Sequence, residues 1–130
     1  MVWNDWELSR IIILLVGLAF LMIFIQVAMF HSRQNFRHMA MWLPVIAGPA
    51  VGLIAILLAL LNSSLLLWLC MFLLWLGLAG GIYGFILHFR GVGQRVDGYV
   101  RRNFLVGPPV VLPLLFSALA VLGLFAVYGR

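Results

Sequence analysis

Four long apolar runs alternate with short polar connections along the chain. The runs cover residues 11–30, 42–61, 65–87 and 108–128. A bilayer core of about 30 Å requires roughly 20 apolar residues in one helix. Each run meets that length, and together they leave no room for a soluble domain. The pattern therefore predicts a single all-α integral membrane domain over residues 1–130, folded as a bundle of four transmembrane helices.

The first two runs resemble the last two. A histidine followed two residues later by an arginine ends the first run at His31 and the third run at His88. A Gly-Pro pair lies in the second run at Gly48 and opens the fourth run at Gly107. Other short matches do not share this register, so duplication and chance similarity both remain open. Duplication would give two tandem parallel helical hairpins, related by an approximate two-fold axis along the membrane normal.

Small residues form a stripe on each of the two central predicted helices. In the second run the stripe contains Gly48 and Gly52, four positions apart. In the third run it contains Gly77, Gly81 and Gly84, at intervals of four and three positions. Small residues four positions apart allow two membrane helices to approach closely. We therefore expect these two stripes to face each other, so that the second and third helices pack tightly.

Charge is scarce and almost all positive. Only 8 % of the residues are charged, and the net charge of +5 comes from arginine without any lysine. Six of the eight arginines lie in the two connections on one side of the bundle: Arg33, Arg37, Arg90, Arg95, Arg101 and Arg102. The positive-inside rule places this side in the cytoplasm of a bacterial inner membrane and both termini outside. Each arginine is expected to contact anionic lipid headgroups, contributing about 1 kcal/mol. So few basic residues, all at a membrane surface, argue against nucleic-acid binding.

The connection between the third and fourth runs is long enough for a helix of its own. Over residues 94–106, one side of a helical wheel carries apolar side chains and another carries arginines. These are Val96, Tyr99, Val100 and Phe104 on the apolar side, and Arg95 and Arg102 on the other. The pattern predicts a short interfacial helix in the headgroup region.

The groups that enzymes use are nearly absent. The acidic residues are Asp5, Glu7 and Asp97, and none lies within an apolar run. Cys70 is the single cysteine, and its place in the third run is typical of a small core residue. We therefore expect no metal site and no catalysis by this chain alone.

Two histidines and one glutamine are the candidates for binding a cofactor. His31 and His88 stand at the ends of the first and third helices, where imidazole is also comfortable without any ligand. They would serve as axial ligands of a b-type haem if they faced each other. Gln26 lies well inside the first run, so its amide is expected to hydrogen-bond to another helix or to a quinone carbonyl.

The favoured function is an accessory subunit of a larger membrane complex, which acts by helix packing and lipid contact without a required cofactor. An aromatic face on the third helix would contact such a partner: Trp68, Phe72 and Trp75. One alternative is a haem b or quinone-binding membrane anchor of an electron-transfer complex. A second alternative is a small homo-oligomeric transporter or channel, with a pore lined by Gln26, Ser117 and arginine.

Overall fold

The computed structural model describes residues 1–95 and 98–130, and within these ranges it contains helices and no strands. The helices are α1 (Leu8–Arg33), α2 (Trp42–Leu61), α3 (Ser64–Arg95), α4 (Arg101–Val106) and α5 (Val111–Tyr128), with a 3-10 turn (Met39–Met41) before α2. Four of them, α1, α2, α3 and α5, are long and apolar enough to cross a membrane. The predicted set of four long helices is confirmed.

The helix ends differ from the ends of the apolar runs. α3 continues to Arg95, eight residues beyond the predicted end at position 87, because hydropathy marks the apolar part of a helix and not its polar last turns. α5 begins at Val111 instead of position 108. Pro109 disfavours the helical conformation at Pro108, so both prolines precede the helix. Their backbone carbonyls are thereby left outside the helical hydrogen bonds.

The four long helices form a ring. α1 packs against α2 and α5, and α3 packs against the same two helices, so α1 and α3 lie diagonally across the bundle. At the centre the rings of Phe20 and Phe116 meet edge to face with their centroids 4.8 Å apart. Other large side chains that are fully buried in the described residues are Ile13, Val16, Val51, Leu58, Leu74, Val92 and Val127.

The two small-residue stripes do not face each other, so that prediction was wrong. A Cβ on Gly52 would lie 3.0 Å from the Gly17 carbonyl oxygen, which places the α2 stripe against α1. A Cβ on Gly81 would lie 2.8 Å from the Pro113 carbonyl oxygen, which places the α3 stripe against α5. Helical spacing fixes which residues share a face, but the order of helices in the bundle decides what that face meets. The α2 stripe therefore packs against α1, and the α3 stripe packs against α5.

The segment before α5 contains the predicted short helix in reduced form. α4 covers Arg101–Val106 only, and Gly98 has a φ of +125°, which interrupts any longer helix. The Tyr99 ring stacks on Phe89 of α3 at 4.9 Å, and Phe104 lies 5.6 Å from the same ring. This aromatic cluster attaches the segment to the end of α3. Two residues of the predicted helix, at positions 96 and 97, lie outside the described residues.

The N-terminal segment is folded onto the turn between α2 and α3. Asn62 has a left-handed backbone (φ 52°, ψ 42°) and ends α2. Its Oδ1 accepts hydrogen bonds from the backbone N–H groups of Val2 and Trp3, each at 2.9 Å. Its Nδ2 donates to the Trp3 carbonyl at 2.6 Å. The Trp3 side chain is buried, so this contact closes one end of the bundle.

Candidate cofactor site

A cavity of about 810 Å³ lies between the four long helices, in the half of the bundle where α1 and α3 end. Its deepest lining residues are Val27 on α1, Val51 on α2, Leu73 on α3 and Phe116 on α5. Since Phe116 packs on Phe20, the central aromatic pair closes the inner end of the cavity. The walls are mostly apolar, which suits a largely apolar ligand.

The His31 and His88 rings lie close together in the lining of this cavity. They project from the diagonal helices α1 and α3, and their ring centroids are 6.4 Å apart with an interplanar angle of 60°. His31 is buried and His88 is half-buried, and both line the cavity. The two helices run in the same direction, so both end at the same end of the bundle. His31 is in the last turn of α1, whereas His88 lies seven residues before the end of α3, so the prediction that His88 ends its helix was wrong. The structure therefore brings together the two histidines that the sequence singled out.

Each histidine is held by one backbone carbonyl. His31 Nδ1 lies 2.7 Å from the Met41 oxygen, and His88 Nδ1 lies 2.7 Å from the Pro109 oxygen. A carbonyl can only accept, so Nδ1 carries the hydrogen in both rings, and a neutral ring then has its lone pair on Nε2. Neither Nε2 has a hydrogen bond within residues 1–95 and 98–130. Histidines that ligate metals are commonly oriented in this way.

The two carbonyls occupy similar places in the two halves of the chain. Met41 directly precedes α2, and Pro109 stands two residues before α5. The proline pair before α5 keeps the Pro109 carbonyl outside the helix, where His88 can reach it. The sequence offered no sign of these contacts, since they depend on the backbone course of both connections.

Polar side chains surround the open end of the cavity. Gln34 Oε1 accepts hydrogen bonds from Arg37 Nη2 at 2.9 Å and from Arg95 Nη1 at 3.2 Å. Arg90 and Gln94 line the same end. All six arginines that were predicted to contact lipid headgroups are exposed: Arg33, Arg37, Arg90, Arg95, Arg101 and Arg102. The cavity thus has an apolar interior and a positively charged edge.

Glycines form part of the cavity wall on α3. Gly80, Gly81 and Gly84 all line it. Gly81 also lies directly against α5, whereas a Cβ on Gly80 would lie 3.4 Å from the Leu43 side chain. Gly77 does not line the cavity and contacts Phe116 instead. The α3 stripe therefore packs against α5 and also forms part of the cavity wall near His88.

Two residues of the predicted pore lie elsewhere. Gln26 is exposed on the outer face of α1, does not line the cavity and has no hydrogen bond within the described ranges. The hydrogen bond to another helix that the sequence predicts for this amide is thus not made to the described residues of this chain. Ser117 is buried, and its Oγ donates to the Leu78 carbonyl of α3 at 2.9 Å. These two side chains and the arginines do not share one passage through the bundle.

The chain matches no known protein family, and no curated protein or solved structure is significantly similar to it. The geometry of the cavity is therefore the basis for a functional proposal.

Proposed function

We propose that this protein is a small subunit of a larger membrane assembly and that its bundle holds a b-type haem between His31 and His88. The observation that carries the proposal is the pair of neighbouring imidazoles, each with Nδ1 engaged and with no hydrogen bond to Nε2 from the described residues. His31 and His88 would hold the haem iron, because neutral imidazole is a common protein ligand of haem.

The distance between the rings supports this assignment. Nitrogen–metal bonds from imidazole are about 2 Å long, so two imidazoles on opposite sides of one ion have ring centres ~6 Å apart. The ring centroids of His31 and His88 are 6.4 Å apart. The hydrogen bonds to Met41 and Pro109 keep both rings from turning away and make each Nε2 a better electron donor.

The positively charged edge of the cavity also supports the assignment of a haem site. A haem carries two propionate groups, and guanidinium groups pair well with carboxylates. Arg90 and Arg95 line the open end of the cavity and would take this role. The haem would supply one-electron chemistry, while the protein would fix its position and exclude water. Among the described residues, the cavity lining contains no carboxylate and no cysteine or serine nucleophile, so we expect the subunit to pass electrons to a partner and not to be catalytic on its own.

A quinone is less well matched to the same cavity. A quinone carbonyl needs a hydrogen-bond donor, but both Nδ1–H groups already donate to backbone carbonyls. Gln26, the other candidate donor, lies on the outer face of α1. The histidines are thus better prepared to bind a metal than to bind a carbonyl.

We further propose that α1, α2, α3 and α5 span a bacterial cytoplasmic membrane, with the arginine-rich end inside and both termini outside. The matching contacts of His31 and His88 favour two tandem parallel hairpins, α1–α2 and α3–α5. The second candidate function is an accessory subunit that acts by packing alone. It is favoured by the outward aromatic face of α3, where Trp68 is 68 %, Phe72 60 % and Trp75 52 % exposed.

Haem titration of the purified protein in mild detergent tests the proposal. We expect the wild type to bind haem b with the visible spectrum of a six-coordinate, bis-histidine iron. Loss of an outer-shell partner alone costs about 10–100-fold in metal affinity, so His31→Ala and His88→Ala should each weaken binding by more than ~10-fold. Both variants should also lose the six-coordinate spectrum.

His38→Ala is the matched control. His38 also lines the open end of the cavity, but its Nδ1 accepts a hydrogen bond from the Ala40 backbone at the start of the 3-10 turn. A neutral ring in this state carries its hydrogen on Nε2 and has no free lone pair for a metal, so His38→Ala should leave the haem spectrum unchanged. A protein that binds no haem, or a spectrum that neither His31→Ala nor His88→Ala alters, would contradict the haem site. Co-purification of large subunits without a chromophore would then favour the packing role.

A further inference from the structure

The outer face of α1 carries an amide that this chain does not pair. Gln26 is exposed, and no hydrogen bond reaches its side chain from residues 1–95 or 98–130. Its neighbours on that face are large apolar side chains, with Met22 71 %, Ile25 58 % and Met29 56 % exposed. In the membrane placement proposed above, lipid tails would surround this amide.

The depth of Gln26 makes lipid an unfavourable environment. It stands seven residues before Arg33, the last residue of α1, so a rise of 1.5 Å per residue puts it about 10 Å below that end. Side chains on a helix lean toward its N-terminus, and here that direction leads further into the bilayer. The amide therefore cannot reach the headgroups at the arginine-rich end. An amide without hydrogen bonds in hydrocarbon is costly.

We propose that a second copy of this chain covers this face, with the two α1 helices packed against each other around a two-fold axis. An amide has both a donor and an acceptor, so two Gln26 side chains related by such an axis satisfy each other reciprocally. The proposal rests on the membrane placement and is independent of the haem site.

The apolar residues around Gln26 form a surface suited to this contact. Exposed side chains recur along one stripe of α1 at intervals of seven positions, at Leu15, Met22 and Met29, and Gln26 lies on the same stripe, four positions after Met22 and three before Met29. That spacing gives a continuous face for a left-handed helix pair, the common crossing of membrane bundles. Two copies with the same orientation in the membrane are related by an axis along the membrane normal, so equivalent positions meet only along the centre of the contact, where Gln26 would lie opposite its symmetry mate.

Energy transfer between donor-labelled and acceptor-labelled copies in lipid vesicles, measured over increasing lipid dilution, tests the dimer. An interhelical hydrogen bond in a membrane contributes on average about 0.6 and at most about 1.7 kcal/mol, so Gln26→Leu should raise the dissociation constant about 3- to 20-fold. Gln26→Asn keeps an amide and should retain most of the affinity. Gln94→Leu makes the same change at the exposed end of α3 and should have no effect.

Cysteine cross-linking in a Cys70→Ala background identifies the face. Met22→Cys and Met29→Cys should cross-link between copies, whereas Phe72→Cys on the exposed face of α3 should not. A monomeric wild type, a dimer that is insensitive to Gln26→Leu, or cross-linking through Phe72→Cys would each overturn the proposal. Capture of a different membrane protein by the α1 face would do so as well. The haem spectrum of Gln26→Leu should match the wild type, so failure of the dimer and failure of the haem site are distinguishable.

Discussion

Replacing Gly81 by alanine is expected to destabilise the bundle by about 2–4 kcal/mol, because overpacking of this kind costs about 1–3 kcal/mol and a lost interhelical hydrogen bond adds to it. A Cβ at this position would lie 2.8 Å from both the Pro113 carbonyl oxygen and the Ser117 backbone nitrogen. These are backbone atoms of α5, so no side-chain rotation relieves the overlap. The new methyl group would also displace Ser117 Oγ from its hydrogen bond to the Leu78 carbonyl.

Gly77→Ala is the matched control on the same stripe. A Cβ there would lie 3.6 Å from Phe116 and 3.7 Å from Ala120, which is ordinary van der Waals contact. We expect a change below about 1 kcal/mol in this variant. Ser117→Ala removes the hydrogen bond alone and should cost about 0.6 kcal/mol. Unfolding in mixed micelles with increasing SDS, followed by circular dichroism, measures all three variants. Equal stability of Gly81→Ala and Gly77→Ala would mean that α3 and α5 do not approach each other as described.

The length and spacing of apolar residues predict the helices and their small faces well. A membrane helix must carry an apolar run of a given length, so four runs indicated four helices before any packing was known. The spacing of Gly48 and Gly52 likewise indicated a close contact. It did not identify α1 as the partner, because the order of helices around the ring is a property of the whole bundle.

The position of the candidate site could also be predicted in part from the apolar runs. His31 and His88 each follow an apolar run, and the two runs are predicted to cross the membrane in the same direction, so the sequence placed both histidines at one end of the bundle. Their contacts with Met41 and Pro109 depend on two connections whose backbone course no pattern describes. For Gln26, the sequence indicated that an amide in an apolar helix needs a partner, but not that its side chain points outward.

The end of the bundle opposite the arginines was the least predictable. The sequence there offered a short acidic tail, an isolated arginine and a neutral turn. In the structure Arg10 is buried, and its Nε donates to the Ala59 carbonyl at 2.7 Å near the end of α2. A positive charge at that position also suits the negative end of the helix dipole. Contacts between residues about 50 to 60 positions apart leave no local periodicity, so sequence patterns cannot reveal them.

Asn62→Ala is expected to destabilise this end, and with it the bundle, by about 3 kcal/mol. The change removes three hydrogen bonds to the backbone of Val2 and Trp3, and each such bond contributes about 1 kcal/mol. Partial exposure of the site to water reduces that sum, whereas alanine at a φ of 52° adds about 1 kcal/mol of backbone strain. Release of the N-terminal segment should also expose the buried Trp3 indole, which shifts its fluorescence to longer wavelength.

Asn35→Ala is the control that measures the cost of backbone strain without any loss of side-chain hydrogen bonds. Asn35 has nearly the same left-handed backbone, with a φ of 54°, but its side chain makes no hydrogen bond within the described residues. Its replacement should therefore cost only about 1 kcal/mol. Asn62→Gly relieves the strain and still loses the hydrogen bonds, so we expect it to fall between the two alanine variants. Thermal unfolding of the four proteins in one detergent gives this order directly. If Asn62→Ala lost no more stability than Asn35→Ala, the N-terminal segment would contribute nothing to the fold, and the burial of Trp3 would follow from the bundle and not support it.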